Sequence, residues 1–470
     1  MKEELCESIR GLASGSPYNS SMRSFLLFVV LFLGMPLSWA QQGDLEDGSG
    51  PAGNGGAEIA ENPGGPEDDS YANPETLGHR AGYDRRADFG SAANTVNQLE
   101  EDDRVKEPII RFPRIDEGLK GWYDMKRRLN EQSGVKFGFD YNSLYQSANK
   151  ALTDDDNAWS SVFRILGTWE FVNRGQQNAG TLVFGLESRH NIGHRIAPAQ
   201  LAGQIGYIGV TGTLFSDVNS ILGNLYYKQN FRDGKAGFLV GRFDPNDFQD
   251  VLGYANPWST FSNVAILLNT SIALPDWSWG IGGGSWLGEK DNWYVQGTIN
   301  DAKGTTTDES FFSGGAEFYT HAEIGWTPSR AERYFSNIHL TAWHVDDRED
   351  AGIPSSHGIA IGANKTWNET WMLFGRAGWS DGAAPIYNRT ATVGVGRLIR
   401  KWSDVFGVGV NWGRPPDRSL SDQWTAEIFY RLQLSQNLQL SPSLQYLKDP
   451  ALNPEHSSVW VAGLRMRLSL

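Results

Sequence analysis

The chain has 470 residues, a formal net charge of −14, 12% aromatic residues including 18 Trp, 54 Gly and a single Cys. Basic residues are nowhere concentrated enough for a nucleic-acid surface, and one cysteine cannot staple a secreted fold with disulfides. With a mean hydropathy of −0.42, only residues 25–33 are continuously apolar, too short a run for a comfortable membrane-spanning helix.

That run follows Arg23 and leads to Ser38-Trp39-Ala40, a small-x-small cleavage site, so residues 1–40 read as an export signal. Met22, directly before Arg23, is an alternative start to Met1, which leaves a long n-region. Cys6 precedes the cleavage site, so the mature chain is expected to hold no cysteine and no lipid anchor.

Residues 41–107 are rich in Gly, Pro, Asn, Asp and Ala. Positions 41–79 carry no Lys or Arg but nine acidic residues between Asp44 and Glu75, so much of the negative charge belongs to a leader. Such a composition buries too little apolar surface to offset chain entropy, and disorder is expected through 107. Within 108–133, the spacing of Leu119, Trp122, Tyr123, Met125 and Leu129 among basic residues predicts a helix over 117–132. Two roles stay open for it: closing or entering a pore, or packing at its mouth.

From 134 to 470 the pattern turns to strands. Runs are expected at 135–145, 162–171, 181–190, 221–230, 236–243, 264–270, 277–287, 293–300, 316–326, 337–344, 358–365, 371–380, 390–398 and 405–412. Three more complete the chain, for seventeen candidates, of which one is expected to be a loop piece. The segment 191–220 is too long for a turn and is expected to fold inward as a constriction loop.

The last three runs carry the clearest signal. Ala426, Ile428, Tyr430, Leu432 and Leu434 alternate with Thr425, Glu427, Phe429, Arg431 and Gln433, and Trp460 to Leu470 repeats the rule. Successive side chains of a strand point to opposite faces, so each run has one oily and one wet face. Runs of about ten such residues between turn formers mark a transmembrane β-barrel. The fold class is therefore all-β, an antiparallel barrel of sixteen or eighteen strands with a short N-terminal helix. A Trp-rich β-sandwich is the alternative, but its strands are usually shorter.

Three motifs carry a family resemblance. Glu427-Ile-Phe-Tyr-Arg431, Gln433-Leu-Ser-Gln-Asn-Leu-Gln-Leu-Ser-Pro442 and Leu444-Gln-Tyr446 with Asn453-Pro454 resemble the end of the carbohydrate-selective, OprB-like porins. Gly241-Arg-Phe-Asp-Pro-Asn-Asp-Phe248, then Tyr254-Ala-Asn256 and Phe261-Ser-Asn263, is similar to that family's central motif, and Trp122, Leu129 and Gly134 to its N-terminal junction. The resemblance covers roughly 117–470 and implies a sixteen-stranded barrel for diffusion of glucose-like monosaccharides. It departs in the acidic leader and in Leu470, where such barrels usually carry an aromatic residue that aids the insertion machinery.

Parity then selects the residues that meet a solute. A Lys or Arg on the lipid face costs roughly 2–4 kcal/mol at mid-membrane, so strand charges should point inward. That rule puts Arg164, Glu170, Glu187, Arg189, Arg242, His321, Glu323, Arg376, Glu427, Arg431, Arg465 and Arg467 in the lumen, with Lys136, Asp140, Lys228 and Glu317. The first expected constriction residues are Arg242, Asp244 and Asp247, followed by Glu187, Arg189, Arg164, Glu427 and Arg431. Asp244-Pro245-Asn246-Asp247 reads equally well as a turn.

Mixed signs suit a neutral polyhydroxy solute, held weakly enough to leave. The alternative is a general or anion-selective porin; an anion pore for phosphate or organic acids would want few carboxylates. An enzyme is disfavoured because no His has a G-x-S-x-G or H-E-x-x-H context, and the His190/His194 spacing reads as a solvated pair. The expected partners are carbohydrate solutes, outer-membrane lipid and the barrel-insertion machinery, with a homo-oligomer such as a trimer as one possible assembly. Neither nucleic acid nor a cofactor is expected.

Overall fold

Alternating side chains produce sixteen antiparallel strands among the described residues, and the strands close into a barrel. The computed structural model describes residues 89–311, 315–368, 370–400 and 403–470. The expected export signal, Cys6, Met22 and leader residues 41–88 lie outside the described residues. The strands run as β1 (Val135–Ala148), β2 (Asn157–Val172), β3 (Gly180–Asn191), β4 (Asn219–Phe231), β5 (Ala236–Phe243), β6 (Ser278–Leu287), β7 (Trp293–Asp301) and β8 (Phe318–Trp326). The second half is β9 (Ser336–Val345), β10 (Ser356–Trp367), β11 (Trp371–Asp381), β12 (Arg389–Ile399), β13 (Asp404–Arg414), β14 (Gln423–Gln433), β15 (Leu438–Lys448) and β16 (Ser458–Ser469). Each pairs with its sequence neighbours, and β1 meets β16 in a register from Asp140↔Ser469 to Ala148↔Val461.

The outer wall is apolar and bare: Val393 is 61% exposed, Leu373 52% and Ile359 51%. Exposed tryptophans ring this band at both ends. Trp293, Trp367 and Trp371 flank the short turns, while Trp159, Trp379, Trp424 and Trp460 lie toward the long loops. Indoles at both borders of an oily band are the girdles of a barrel in a bilayer.

The hydrophobic core lies inside the barrel. Two long connections fold into it, 192–218 between β3 and β4 and 244–277 between β5 and β6. The second packs Val251, Leu252, Tyr254, Phe261, Ile266 and Leu267 against Phe374, Val405 and Phe429 of the wall. The wall makes room with glycine: a Cβ on Gly409 would fall 2.7 Å from Ile266.

Ahead of β1 stand two helices with different surroundings. The leader was expected to stay disordered through 107, but residues 89–107 are ordered, and α1 (Thr95–Asp103) lies in the lumen with Thr95, Asn97, Gln98 and Leu99 buried. Asn94 caps it by accepting from Asn97 N at 2.8 Å. Helix α2 (Pro113–Ser133) covers the predicted 117–132 and runs on the outside: Trp122 meets the outward rings of Phe137 and Phe139 at 5.6 and 5.7 Å. It ends at Gly134, whose φ of +76° and closeness to Glu170 O, 2.1 Å from an added Cβ, require glycine.

Sixteen of the seventeen predicted runs are strands; 264–270 is not. It forms the lumenal connection, following α3 (Pro198–Gln204) of the first long loop with a single helical turn, α4 (Val264–Leu267). Asn263 caps this turn by accepting from Ala265 N, and all four of its residues are buried. A continuous apolar run does not distinguish a buried strand from a buried turn. The predicted inward fold of 191–220 matches the chain: Thr211 O accepts from Gln146 and Gln445 on opposite sides of the β1–β16 seam.

Candidate functional site

Where the two inward loops face β2 and β3, they leave a cavity of about 470 Å³. Strand parity delivers Arg164 from β2 and Glu187 and Arg189 from β3, while the loops contribute Asp244, Asp247, Trp258 and Trp277. Residues of the first helix close the cavity below, through Thr95 and Gln98.

The charged groups are held rather than loose. Arg189 donates through Nε and Nη2 to Glu187 Oε2 at 2.9 and 2.7 Å and lies 5.2 Å from the Trp277 ring centre. Arg164 sits over the ring of Trp258, its guanidinium carbon 3.8 Å from the ring centre, and donates to Asp140 and to Gln98. Asp140 also accepts from Arg467 at 2.9 Å. Asp247 accepts from Ser91 Oγ at 2.7 Å. Burial, and after it the charge of Asp247, pushes the Asp244 carboxyl well above its ordinary range.

The structure divides the eight predicted site residues. Arg164, Glu187, Arg189, Asp244 and Asp247 line the cavity. The other three lie outside its lining. Arg242, placed first by the motif, donates to the carbonyls of Leu222 and Thr305 at 2.8 Å each and so ties β4 to the 302–317 loop. Glu427 accepts from Ser262 N and Asn263 N at 2.8 and 2.9 Å and anchors the second inward loop. Arg431 faces Glu101 of the first helix at 3.9 Å. Parity places a side chain in the lumen but does not say what fills the lumen beside it.

Asp244-Pro245-Asn246-Asp247 is at once a turn and cavity wall: Asp244 accepts from Asn246 N at 2.8 Å, capping the 3-10 turn Pro245–Phe248. Sequence reasoning missed Trp258, Trp277, Asp276 and Gln98 in the lining. Trp258 lies just after Tyr254-Ala-Asn256, so the central motif pointed close to it.

The geometry is that of a closed barrel narrowed by two inward loops. A family model described as "Carbohydrate-selective porin, OprB family" matches residues 170–470. The chain belongs to this family. Family and fold point to a channel rather than an enzyme and imply a barrel of the outer-membrane kind. The matched region begins inside β2, so neither α1 nor α2 falls within it.

Porin AaxA of Chlamydia pneumoniae is 25% identical over 194 residues, 39% of this chain and 42% of that protein. The chain thus matches about two fifths of that relative's length. The high-pH structure of Pseudomonas putida OprB is similar with a TM-score of 0.61 at 16% identity, covering 74% of this chain and 97% of that one. At that identity the likeness is one of fold.

Proposed function

We propose that this porin passes small neutral carbohydrates, glucose-like monosaccharides above all, by passive diffusion from the long-loop side across the outer membrane. The observation that carries the reading is the cavity of about 470 Å³, where the Glu187–Arg189 pair faces Asp244 and Asp247 beside two indoles. Paired donors and acceptors exchange hydrogen bonds with hydroxyls that shed water at a narrow point, and indole edges and faces suit the C–H faces of a sugar ring. Each contact is weak, which a conducting pore needs.

A wholly anion-selective pore is the second reading. Four carboxylates, Glu187, Asp244, Asp247 and Asp276, line the cavity against two guanidinium groups, which argues against it. Liposome swelling tests the choice. Glucose should enter proteoliposomes faster than a dicarboxylate of similar size, and faster entry of the dicarboxylate would overturn the assignment.

A further inference from the structure

The lumen segment 89–104 is the least expected part of the molecule. It touches the wall on nearly every side. Phe89 stacks on Trp286 of β6 at 5.7 Å. The Gly90 carbonyl accepts from Tyr334 Oη at 2.7 Å in the β8–β9 turn. Thr95 accepts from Asn224 of β4 at 3.2 Å, and Gln98 from Arg164 of β2. Asp102 accepts from Arg467 of β16 at 2.7 Å, and Glu101 faces Arg431 of β14. In a sixteen-stranded barrel β1 and β9 lie on opposite sides, so the segment bridges the full width of the bore. Its two ends sit at the short-turn end, Phe89 by β6 and Asp103 by Lys136 of β1, 3.7 Å away.

The charges are matched pair by pair. Asp102 meets Arg467, Glu101 meets Arg431, and Asp103 meets Lys126 at 2.8 Å and Lys136. Asp140, already shared between Arg164 and Arg467, is the carboxylate the wall itself supplies to this row. Burial alone would raise the Glu101 carboxyl, but Arg104, Arg431, Lys106 and Arg467 together hold it below its ordinary range. The helix thus sits in a cationic groove as an acidic ligand would.

We propose that arginines 164, 431 and 467 form a carboxylate-binding row in the lumen, that residues 89–104 are its tethered acidic ligand, and that in this seated state the segment closes the bore beneath the carbohydrate cavity. The proposal rests on the reading of the chain as a pore. The segment is held by hydrogen bonds and ion pairs more than by apolar burial: Leu99 is its one large aliphatic side chain that is fully buried. Departure of the segment would therefore expose polar and charged groups that bore water solvates, rather than a broad apolar face, which makes it displaceable. Once it leaves, the row is open to carboxylate solutes from the bore.

The test is planar-bilayer recording of the mature chain against the same chain lacking residues 89–104. The deletion removes four carboxylates (Glu100, Glu101, Asp102 and Asp103) and one guanidinium (Arg104). Single-channel conductance should rise severalfold, and the reversal potential in a salt gradient should shift toward anions. Unchanged conductance and selectivity would overturn the proposal. Should the deleted chain fail to insert, the double variant Glu101→Gln, Asp102→Asn keeps the segment and removes its two ion pairs to β14 and β16. It should spend a larger fraction of time in the high-conductance state, and an open fraction equal to the parent's would overturn the proposal. Glucose block is recorded in the same channels. The double variant leaves the cavity lining intact, so a double-variant channel that opens more often but is not blocked by glucose keeps the tethered-ligand proposal and sinks the carbohydrate reading instead.

Discussion

Asp140 on β1 accepts from Arg467 on β16 at 2.9 Å, an ion pair across the seam where the first and last strands meet. Arg164 of β2 bonds the same carboxylate, and all three side chains are buried. One acid therefore bridges two guanidinium groups at the closure of the barrel, and Asp102 supplies Arg467 with a second carboxylate at 2.7 Å.

Asp140→Asn should lower the thermal unfolding temperature of the detergent-solubilised barrel. Removing one partner of a buried pair leaves uncompensated charge, at a cost of about 3–5 kcal/mol. The heat-modified shift on a denaturing gel reads the effect, and an unchanged transition would show that water or the Asp102 carboxylate replaces Asp140.

Glu187→Gln should act on the solute and much less on the wall. Glu187 pairs with Arg189 at the edge of the cavity, where water can replace the lost contact. Losing one charged acceptor for a sugar hydroxyl costs about 1.5–3 kcal/mol. Current-block titration with glucose should show the apparent affinity falling roughly tenfold or more, while the unfolding temperature falls less than in Asp140→Asn.

Arg242→Ala should give the opposite pattern. Its guanidinium bonds the carbonyls of Leu222 and Thr305 and lies outside the cavity lining. Its loss leaves two carbonyls without their donor, at about 1–3 kcal/mol for each that stays buried, and frees the 302–317 loop. Open-channel noise should increase and heat stability decrease, with the glucose affinity constant held. A large loss of sugar affinity would return Arg242 to the permeation path.

Acidification should act in two steps, because one carboxyl is raised and the other lowered. Asp244 titrates above the ordinary carboxylate range because of burial and the charges of Asp247, Asp276 and Glu187. It therefore loses its charge first as pH falls, and the cavity becomes less cation-preferring. Glu101 titrates below the ordinary range. A depressed folded-state value gives stabilisation that is present above the unfolded value and lost as pH falls through the folded one. The seated segment should therefore loosen only in stronger acid, with conductance rising. Reversal potential and conductance recorded over one pH series separate the two steps. A conductance rise that precedes the selectivity change would contradict the order.

The barrel was legible because its wall meets hydrocarbon on one side and water on the other, and every strand writes that difference at a period of two. Val264 to Leu267 escaped the rule because all four of its side chains are buried inside the barrel, so no wet face marks an alternation. Residues 89–104 escaped for the reverse reason. Their composition reads as disorder where the alternative is bulk water, yet inside a polar bore a segment folds on hydrogen bonds to its container. Thr95 and Gln98 needed no oily face, only Asn224 and Arg164 at the right height. The Asn94 cap was the local signal present in the sequence. The distinction between Arg164 and Arg242 was equally out of reach, since it depends on which loop passes each of them.

Asp102 and its partner Arg467 stand 365 positions apart, and the other anchors of the first helix are spread over strands from both ends of the chain. The helix precedes every strand of the barrel in the chain, yet its binding groove does not exist until β16 has been laid beside β1. Seating is then a report of completed assembly: a barrel that has misplaced its last hairpin has nowhere to put its own beginning.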